Sequence, residues 1–267
     1  IMSFKYSQEQ EGSTIDIEQK LGPKIRFSFG RKSYEDICQY FIEYPPIIYY
    51  ANGAQSQGTI YVELKNAVSP IAKEFLNAID WQGVSLHKES QGIYPYEQDS
   101  IQYFFAKYVE NDFDILYDDD GSGEIADLIG FKDSDTCIEI HLYHLKYATG
   151  GVVSNQIGNF YEVCGQAQKS LRWKDKSEKG LFDHLFARKI KKYKNKTCSR
   201  LLKGNEDDLE KLAAAAKWKK EVKLFINIVQ PSLSKTNASD DILILLGGIS
   251  QYLKETGNVD LRVYCSE

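Results

Sequence analysis

The sequence predicts an α/β fold, in which helices flank a mixed central sheet and a β-rich N-terminal region precedes them. Hydrophobic periodicity gives the order helix, strand, strand, strand, helix between residues 99 and 173. A second series, strand, helix, strand, occupies residues 222–265. Elements in this order pack as layers, with helices covering a sheet. The chain therefore divides into a β-rich region, residues 1–90, and an α/β core, residues 91–267.

The N-terminal region contains short stretches typical of strands. Residues 24–29 and 59–64 alternate with period two, and residues 47–50 form another short apolar run. Residues 34–44 favour a helix that ends before Pro45 and Pro46, because a proline disfavours helical geometry in the residue before it. This region carries no recognisable catalytic pattern.

The core begins with a helix that Asp99 and Ser100 can cap, since Ile101, Phe104 and Phe105 follow at helical spacing. The remaining predictions for the core are strands at 114–117, 124–131 and 137–148, a turn at 118–123, a helix at 161–173, a basic helical insertion around 174–220, a strand at 222–230 stopped by Pro231, a helix at 240–256 and a strand at 261–265.

Charge is distributed unevenly along the chain, whose formal net charge is −5. Residues 168–223 contain 18 Lys and Arg against 8 Asp and Glu, a net of +10, whereas the remainder has 15 and 30, a net of −15. A basic block on an acidic protein is a footprint for nucleic-acid phosphates. A solvated, lysine-rich helical face explains the same charge equally well.

Composition excludes several classes. The five cysteines form no C-x-x-C pair, which predicts reduced thiols in a cytoplasmic protein without structural zinc. No stretch approaches the ~18 apolar residues of a membrane span. The run Gly121-Ser122-Gly123 lacks the GxxxxGK[ST] pattern of an ATP site. Asp118-Asp119-Asp120 starts like a calcium loop but lacks its closing Glu, so a solvated turn is predicted.

The candidate chemistry lies where two predicted strands end. His144 and Lys146 share a strand face with Ile140 and Leu142, and Asp127 belongs to the adjacent strand. Asp127 and His144 could hold Mg²⁺ or Mn²⁺, which activates water and neutralises charge on a phosphate. Lys146 could stabilise the same charge. The alternative is structural: a buried Asp127–Lys146 ion pair beside a satisfied core histidine.

Three motifs in this region resemble those of a known superfamily. They are DDDGSGEIAD at 118–127, YHLKY at 143–147 and YEVCGQAQKS at 161–170. The combination looks like a PD-(D/E)XK nuclease, and the region from about Tyr44 to Cys265 resembles nuclease-like C-terminal regions of bacterial DEAD/DEAH-box helicases associated with phage defence.

The resemblance implies a restriction-endonuclease-like core that cuts DNA, with a helicase motor in the same polypeptide or complex. It makes Asp127 the metal-binding Asp and Lys146 the signature Lys. It also places Gln102, Gln166 and Lys169 near nucleic acid, and the basic segment adds Lys189, Lys191 and Lys192 as phosphate contacts.

One departure from the family pattern is that His144 replaces an acidic residue, which shifts the expected metal preference towards Mn²⁺. It also leaves two other functions open: a catalytically silent module that binds nucleic acid or docks a partner, and a structural extension that docks a helicase motor.

Overall fold

The computed structural model describes residues 2–9, 12–29, 32–49, 54–62, 68–175 and 178–267. The chain divides into two compact units, residues 1–68 and residues 69–267. The predicted boundary at residue 90 lies later than this division. All five cysteines are free thiols, and all but Cys198 are buried.

In its described residues, the first unit consists of small antiparallel sheets and one helix. Strands β1 (Met2–Glu9) and β2 (Gly12–Gln19) form a hairpin, as do β3 (Phe27–Phe29) and β4 (Lys32–Tyr34). Helix α1 (Ile37–Glu43) begins at Asp36, whose Oδ1 accepts a hydrogen bond of 2.9 Å from the Cys38 amide. Strands β5 (Ile47–Tyr49), β6 (Gln55–Gln57) and β7 (Ile60–Val62) form a third sheet. Residues 63 and 64, predicted to extend the last strand, lie outside the described residues.

The second unit is an α/β layer structure. In chain order its elements are β8 (Leu76–Ala78), α2 (Ile101–Val109), β9 (Ile115–Asp118), β10 (Leu128–Asp133), β11 (Cys137–Leu145), α3 (Gly158–Ser170), α4 (Arg172–Asp175), α5 (Glu178–Arg188), β12 (Ile190–Tyr193), β13 (Lys196–Ser199), β14 (Leu201–Lys203), α6 (Glu206–Trp218), β15 (Glu221–Ser234), α7 (Asp240–Gly257) and β16 (Asp260–Ser266). Short 3-10 helices cover Lys73–Phe75 and Glu110–Asp112.

One mixed sheet of seven strands organises this unit, in the order β14-β9-β10-β11-β15-β16-β8. The pairs from β14 to β11 are antiparallel, and those from β11 to β8 are parallel. Strand β11 is therefore the strand at which the sheet changes direction. The predicted mixed α/β architecture is confirmed at this level.

Side-chain alternation on β11 sorts the core into two layers. Ile138, Ile140 and Leu142 pack on the face covered by α5 and α6, whereas Tyr143 and Leu145 pack with α2 on the other face. His144 belongs to the even-numbered series and so continues the first face, as predicted. Lys146 lies directly after the end of β11, which was predicted to run to residue 148.

Two strands differ from their predicted bounds for identifiable reasons. Strand β10 begins at Leu128, because the Ile125 amide donates to Asp119 Oδ2 (2.7 Å) within the preceding loop. Strand β15 runs through Pro231 to Ser234 instead of stopping there. Its pairing with β16 shifts register between Val229 and Ser234, and such an irregularity accommodates a residue without an amide hydrogen.

The predicted basic helical insertion is only partly helical. Its middle forms the antiparallel hairpin of β12 and β13, with Lys194 at φ 52° in the turn, and β14 then joins the edge of the large sheet. Helix α6 occupies the C-terminal part of the insertion predicted to be helical. The sequence did not indicate this hairpin, because lysines occupy positions on both faces of β12. The contacts of Lys191 with Asp118 and Asp120 determine which face points inward.

Candidate metal and phosphate site

The site is built around the segment that joins β9 to β10, residues 118–127, which we call the acidic loop. Asp127, the last residue of this loop, lies beside the end of β11: its amide donates to the Tyr143 carbonyl (3.0 Å) and its Oδ2 accepts from the Leu145 amide (2.8 Å). Asp127 therefore lies next to the strand that carries His144 and that ends one residue before Lys146.

Asp127 belongs to a group of three carboxylates, with Asp120 and Glu124. One oxygen from each lies within 4.8 Å of the others, so the group could hold a metal ion. Burial, and next the charge of Glu124, raises the pKa of Asp127 well above its ordinary value. Burial likewise raises the pKa of Glu124, which the charge of Asp120 raises further. A cation would relieve this repulsion.

Asp118 and Asp119, by contrast, face inward and hold the loop. Asp118 is 1% exposed, and Lys191 Nζ contacts both of its carboxylate oxygens at 3.2 and 3.0 Å. Asp119 is fully buried and accepts from Arg188 Nε (2.6 Å), with His184 Nε2 at 3.0 Å. The prediction of a solvated turn is therefore wrong for these two residues, because cations from the basic segment compensate their charge.

Gln102 and Lys191 were predicted to contact nucleic acid, but both side chains are buried in the structure. Gln102 is 1% exposed, and its amide donates to Asp118 Oδ1 (3.1 Å) and to the Asp127 carbonyl (3.2 Å). Lys191 Nζ also contacts Asp120 Oδ2 (3.0 Å). Both side chains are thus engaged inside the fold, where they position the acidic loop.

His144 lies in a separate, adjoining environment. Its Nε2 lies 2.8 Å from Ser170 Oγ, and Ser170 in turn donates to the Ile125 carbonyl (3.3 Å). Burial, with the Lys169 ammonium as the second cause, lowers the pKa of His144 to about 3, so the imidazole is neutral. Its Nδ1 is buried with no hydrogen-bond partner among the described residues. His144 is not a member of the three-carboxylate group.

A cavity of about 60 Å³ connects His144 with the other predicted contacts. Glu124, Gln166 and Lys169 also line it, so the face of α3 singled out by the sequence does meet the acidic loop. Gln166 Oε1 is buried and unpartnered among the described residues, as is His144 Nδ1. Two acceptors without donors in a polar cavity can be satisfied by water or a ligand.

Lys146 is positioned by two glutamates. Its Nζ lies 3.3 Å from Glu89 Oε2 and 2.9 Å from Glu162 Oε2, and the side chain is 15% exposed. Partial burial would lower the pKa of Lys146, but the hydrogen bond that its ammonium donates to Glu162 and the charge of Glu89 raise it. The predicted alternative of an Asp127–Lys146 ion pair is not observed within the described part of the chain.

The other predicted lysines lie at the surface. Lys189 pairs with Glu206 at 2.8 Å, whereas Lys169 and Lys192 are exposed and form no ion pair with a described carboxylate. Lys194, in the hairpin turn, is exposed as well. These three cations remain available for a phosphate.

Sequence reasoning missed Glu89, Asp120, Glu124 and Glu162 as site residues. Asp120 and Glu124 lie in a loop, where no periodicity fixes the direction of a side chain. The signal that could have found Glu124 is its spacing, three residues before Asp127 in a turn rich in glycine.

No known protein family, no curated protein and no solved structure matches the chain. None of its described helices combines the length and the apolar character needed to cross a membrane.

Proposed function

We propose that this chain is a divalent-metal-dependent nuclease that hydrolyses phosphodiester bonds in DNA. The observation that carries the proposal is the convergence of Asp120, Glu124 and Asp127 within 4.8 Å beside the end of β11, which Lys146 directly follows. The order α2-β9-β10-β11-α3-β15 supports a restriction-endonuclease-like core, and the motif resemblance adds a bacterial helicase motor as a proposed partner.

The donor set fits Mg²⁺ or Mn²⁺, because hard divalent cations prefer carboxylate oxygens. Asp120, Glu124 and Asp127 would hold the ion, which when bound supplies an activated water and neutralises phosphate charge. Glu124 would supply the second acidic ligand, which the family pattern places at the position of His144. Mg²⁺ is therefore expected to support cleavage as well as Mn²⁺ does.

Lys146 is the residue of this chain assigned to the phosphate. Glu89 and Glu162 hold its ammonium on the side of β11 that faces α3. A preorganised cation stabilises charge that develops on phosphate oxygens without reorganisation during the reaction. Lys169, on the adjoining cavity wall, adds a second positive charge.

Incubation of the purified chain with linear and circular DNA tests the proposal. Cleavage is expected with Mg²⁺ or Mn²⁺ and none with EDTA, because the bound ion would supply the activated water. Absence of cleavage with either metal, on single strands and on duplex, would sink the nuclease assignment.

A catalytically silent module that binds nucleic acid is the second candidate. It is favoured by the pairing of Lys146 with two glutamates, which occupies the ammonium that a nuclease would offer to phosphate. This candidate predicts DNA binding that is unchanged by removal of metal and by loss of Lys146.

Lys146→Met distinguishes the two candidates. The nuclease assignment predicts a loss of cleavage rate of about a hundredfold, because a positioned cation at a developing charge is removed. Lys107→Met is the matched control, since Lys107 is an exposed residue of α2 that pairs with Glu110. Cleavage and thermal unfolding are measured on the same preparations, and equal rates for both variants would contradict the role assigned to Lys146.

A further inference from the structure

A second, larger cavity lies next to the acidic loop. It has a volume of about 470 Å³, which is in the range of small-molecule binding sites. Residues 92–97 form one wall, and the tip of the β12–β13 hairpin, residues 193–196, forms the other. The nuclease mechanism proposed above does not use this cavity.

The hairpin wall combines an aromatic ring with positive charge. Tyr193 is 60% exposed, and Lys194 Nζ lies 5.3 Å from the centre of its ring. Lys194 and Lys196 are exposed and form no ion pair with any carboxylate in the described ranges. Glu97, on the opposite wall, already pairs with Lys88 at 3.2 Å. The charge of this surface therefore complements an anion.

Both walls are anchored to the acidic loop. Directly before the first wall, Gln91 Nε2 donates to Asp118 Oδ2 (3.0 Å) and the Ser90 hydroxyl donates to Asp120. On the second wall, Lys191 contacts Asp118 and Asp120 two residues before Tyr193. A chain lying in the cavity would thus be close to the proposed metal group.

We propose that this cavity binds single-stranded nucleic acid, with one base stacked on Tyr193 and phosphates beside Lys194 and Lys196. An aromatic side chain flanked by cations is the arrangement by which proteins bind single strands without sequence preference. In a duplex the faces of each base are covered by the neighbouring bases, so no base face would be free to stack on Tyr193. The guidance of that strand to Asp120 and Asp127 rests on the proposed nuclease function.

Fluorescence anisotropy in EDTA tests binding apart from cleavage. The probes are a fluorescein-labelled oligothymidylate of about 16 nucleotides and the same strand paired with oligodeoxyadenylate. The single strand should bind more tightly than the duplex. Tyr193→Ala should weaken single-strand binding about tenfold and Tyr193→Trp should retain it, because stacking needs only a ring. Lys194→Ala with Lys196→Ala should weaken binding and flatten its salt dependence.

Tyr108→Ala and Lys211→Ala are the matched controls, since both side chains are exposed and lie on α2 and α6. Equal affinity for single strand and duplex, or unchanged binding by Tyr193→Ala, would overturn the proposal. Single-strand binding with the expected effects of the Tyr193, Lys194 and Lys196 variants, but without cleavage in any metal, would contradict only the proposed nuclease function. Cleavage of single strands that is unchanged by Tyr193→Ala would contradict only the role proposed for this cavity.

Discussion

Asp127→Asn is expected to abolish cleavage and at the same time to stabilise the metal-free protein. Asp127 is 4% exposed and lies in a group with Glu124 and Asp120, so its charge is unfavourable without a cation. An asparagine keeps the acceptor for the Leu145 amide and removes the charge. Cleavage should fall about a thousandfold or more. The free energy of unfolding should rise by about 0.5–2 kcal/mol.

The pH dependence of this gain follows from the raised pKa of Asp127. An acid whose folded-state pKa is raised binds more protons in the folded state, so ionisation destabilises that state as pH rises above the ordinary value of 3.8. The advantage of Asp127→Asn should therefore be present at neutral pH and shrink as pH falls towards 3.8. Thermal unfolding of both proteins across pH measures it.

Asp135→Asn, an exposed change on the turn between β10 and β11, is the control for the loss of one negative charge. Mg²⁺ should raise the melting temperature of the parent and of this control, but not that of Asp127→Asn. An Asp127→Asn protein that cuts DNA at the parent rate, or that unfolds at a lower temperature, would contradict the metal group.

Lys191→Met is expected to cause a large loss of stability. Its ammonium compensates Asp118, whose carboxylate is buried beneath the acidic loop. Removing one partner of a buried ion pair costs about 3–5 kcal/mol. Arg200 Nη1, at 4.0 Å from Asp118 Oδ1, would compensate the remaining charge only in part. Lys192→Met, the next residue on β12, removes an exposed lysine and should change stability by less than about 0.5 kcal/mol.

Urea unfolding of the two variants measures the difference. The double variant Lys191→Met with Asp118→Asn should recover part of the loss, because the stranded charge is then gone. Equal stabilities for Lys191→Met and Lys192→Met would mean that the Asp118–Lys191 pair does not hold the loop.

Local periodicity predicted the parts of this protein that depend on a single strand or helix. Alternation on the predicted third strand placed His144 and Lys146 on one side. Gln166 and Lys169 were singled out by the motif resemblance, and both line the cavity beside His144. Asp127 was found because the predicted strand 124–131 placed it beside the strand of His144, although in the structure it directly precedes β10. The mixed sheet followed from the order of these elements.

The parts that sequence could not predict depend on contacts between distant segments. The net charge of a segment does not show which of its cations face inward. In the structure Lys191 pairs with Asp118, and Arg188 pairs with Asp119. The direction of Glu124 is set by its loop, where it accepts a hydrogen bond from the Gly121 amide (2.6 Å). Burial of Gln102 likewise depends on Asp118, a partner remote in sequence.

The β12–β13 hairpin places a constraint on the length of the chain. Lys191 points into the fold and Lys192 points to solvent, because successive side chains of a strand alternate. A single-residue insertion between Arg188 and Lys191 would exchange these two sides and turn Lys191 away from Asp118. The same insertion at the turn, between Lys194 and Asn195, would leave that pairing intact. Natural length variation in this protein should therefore be confined to the tip of the hairpin.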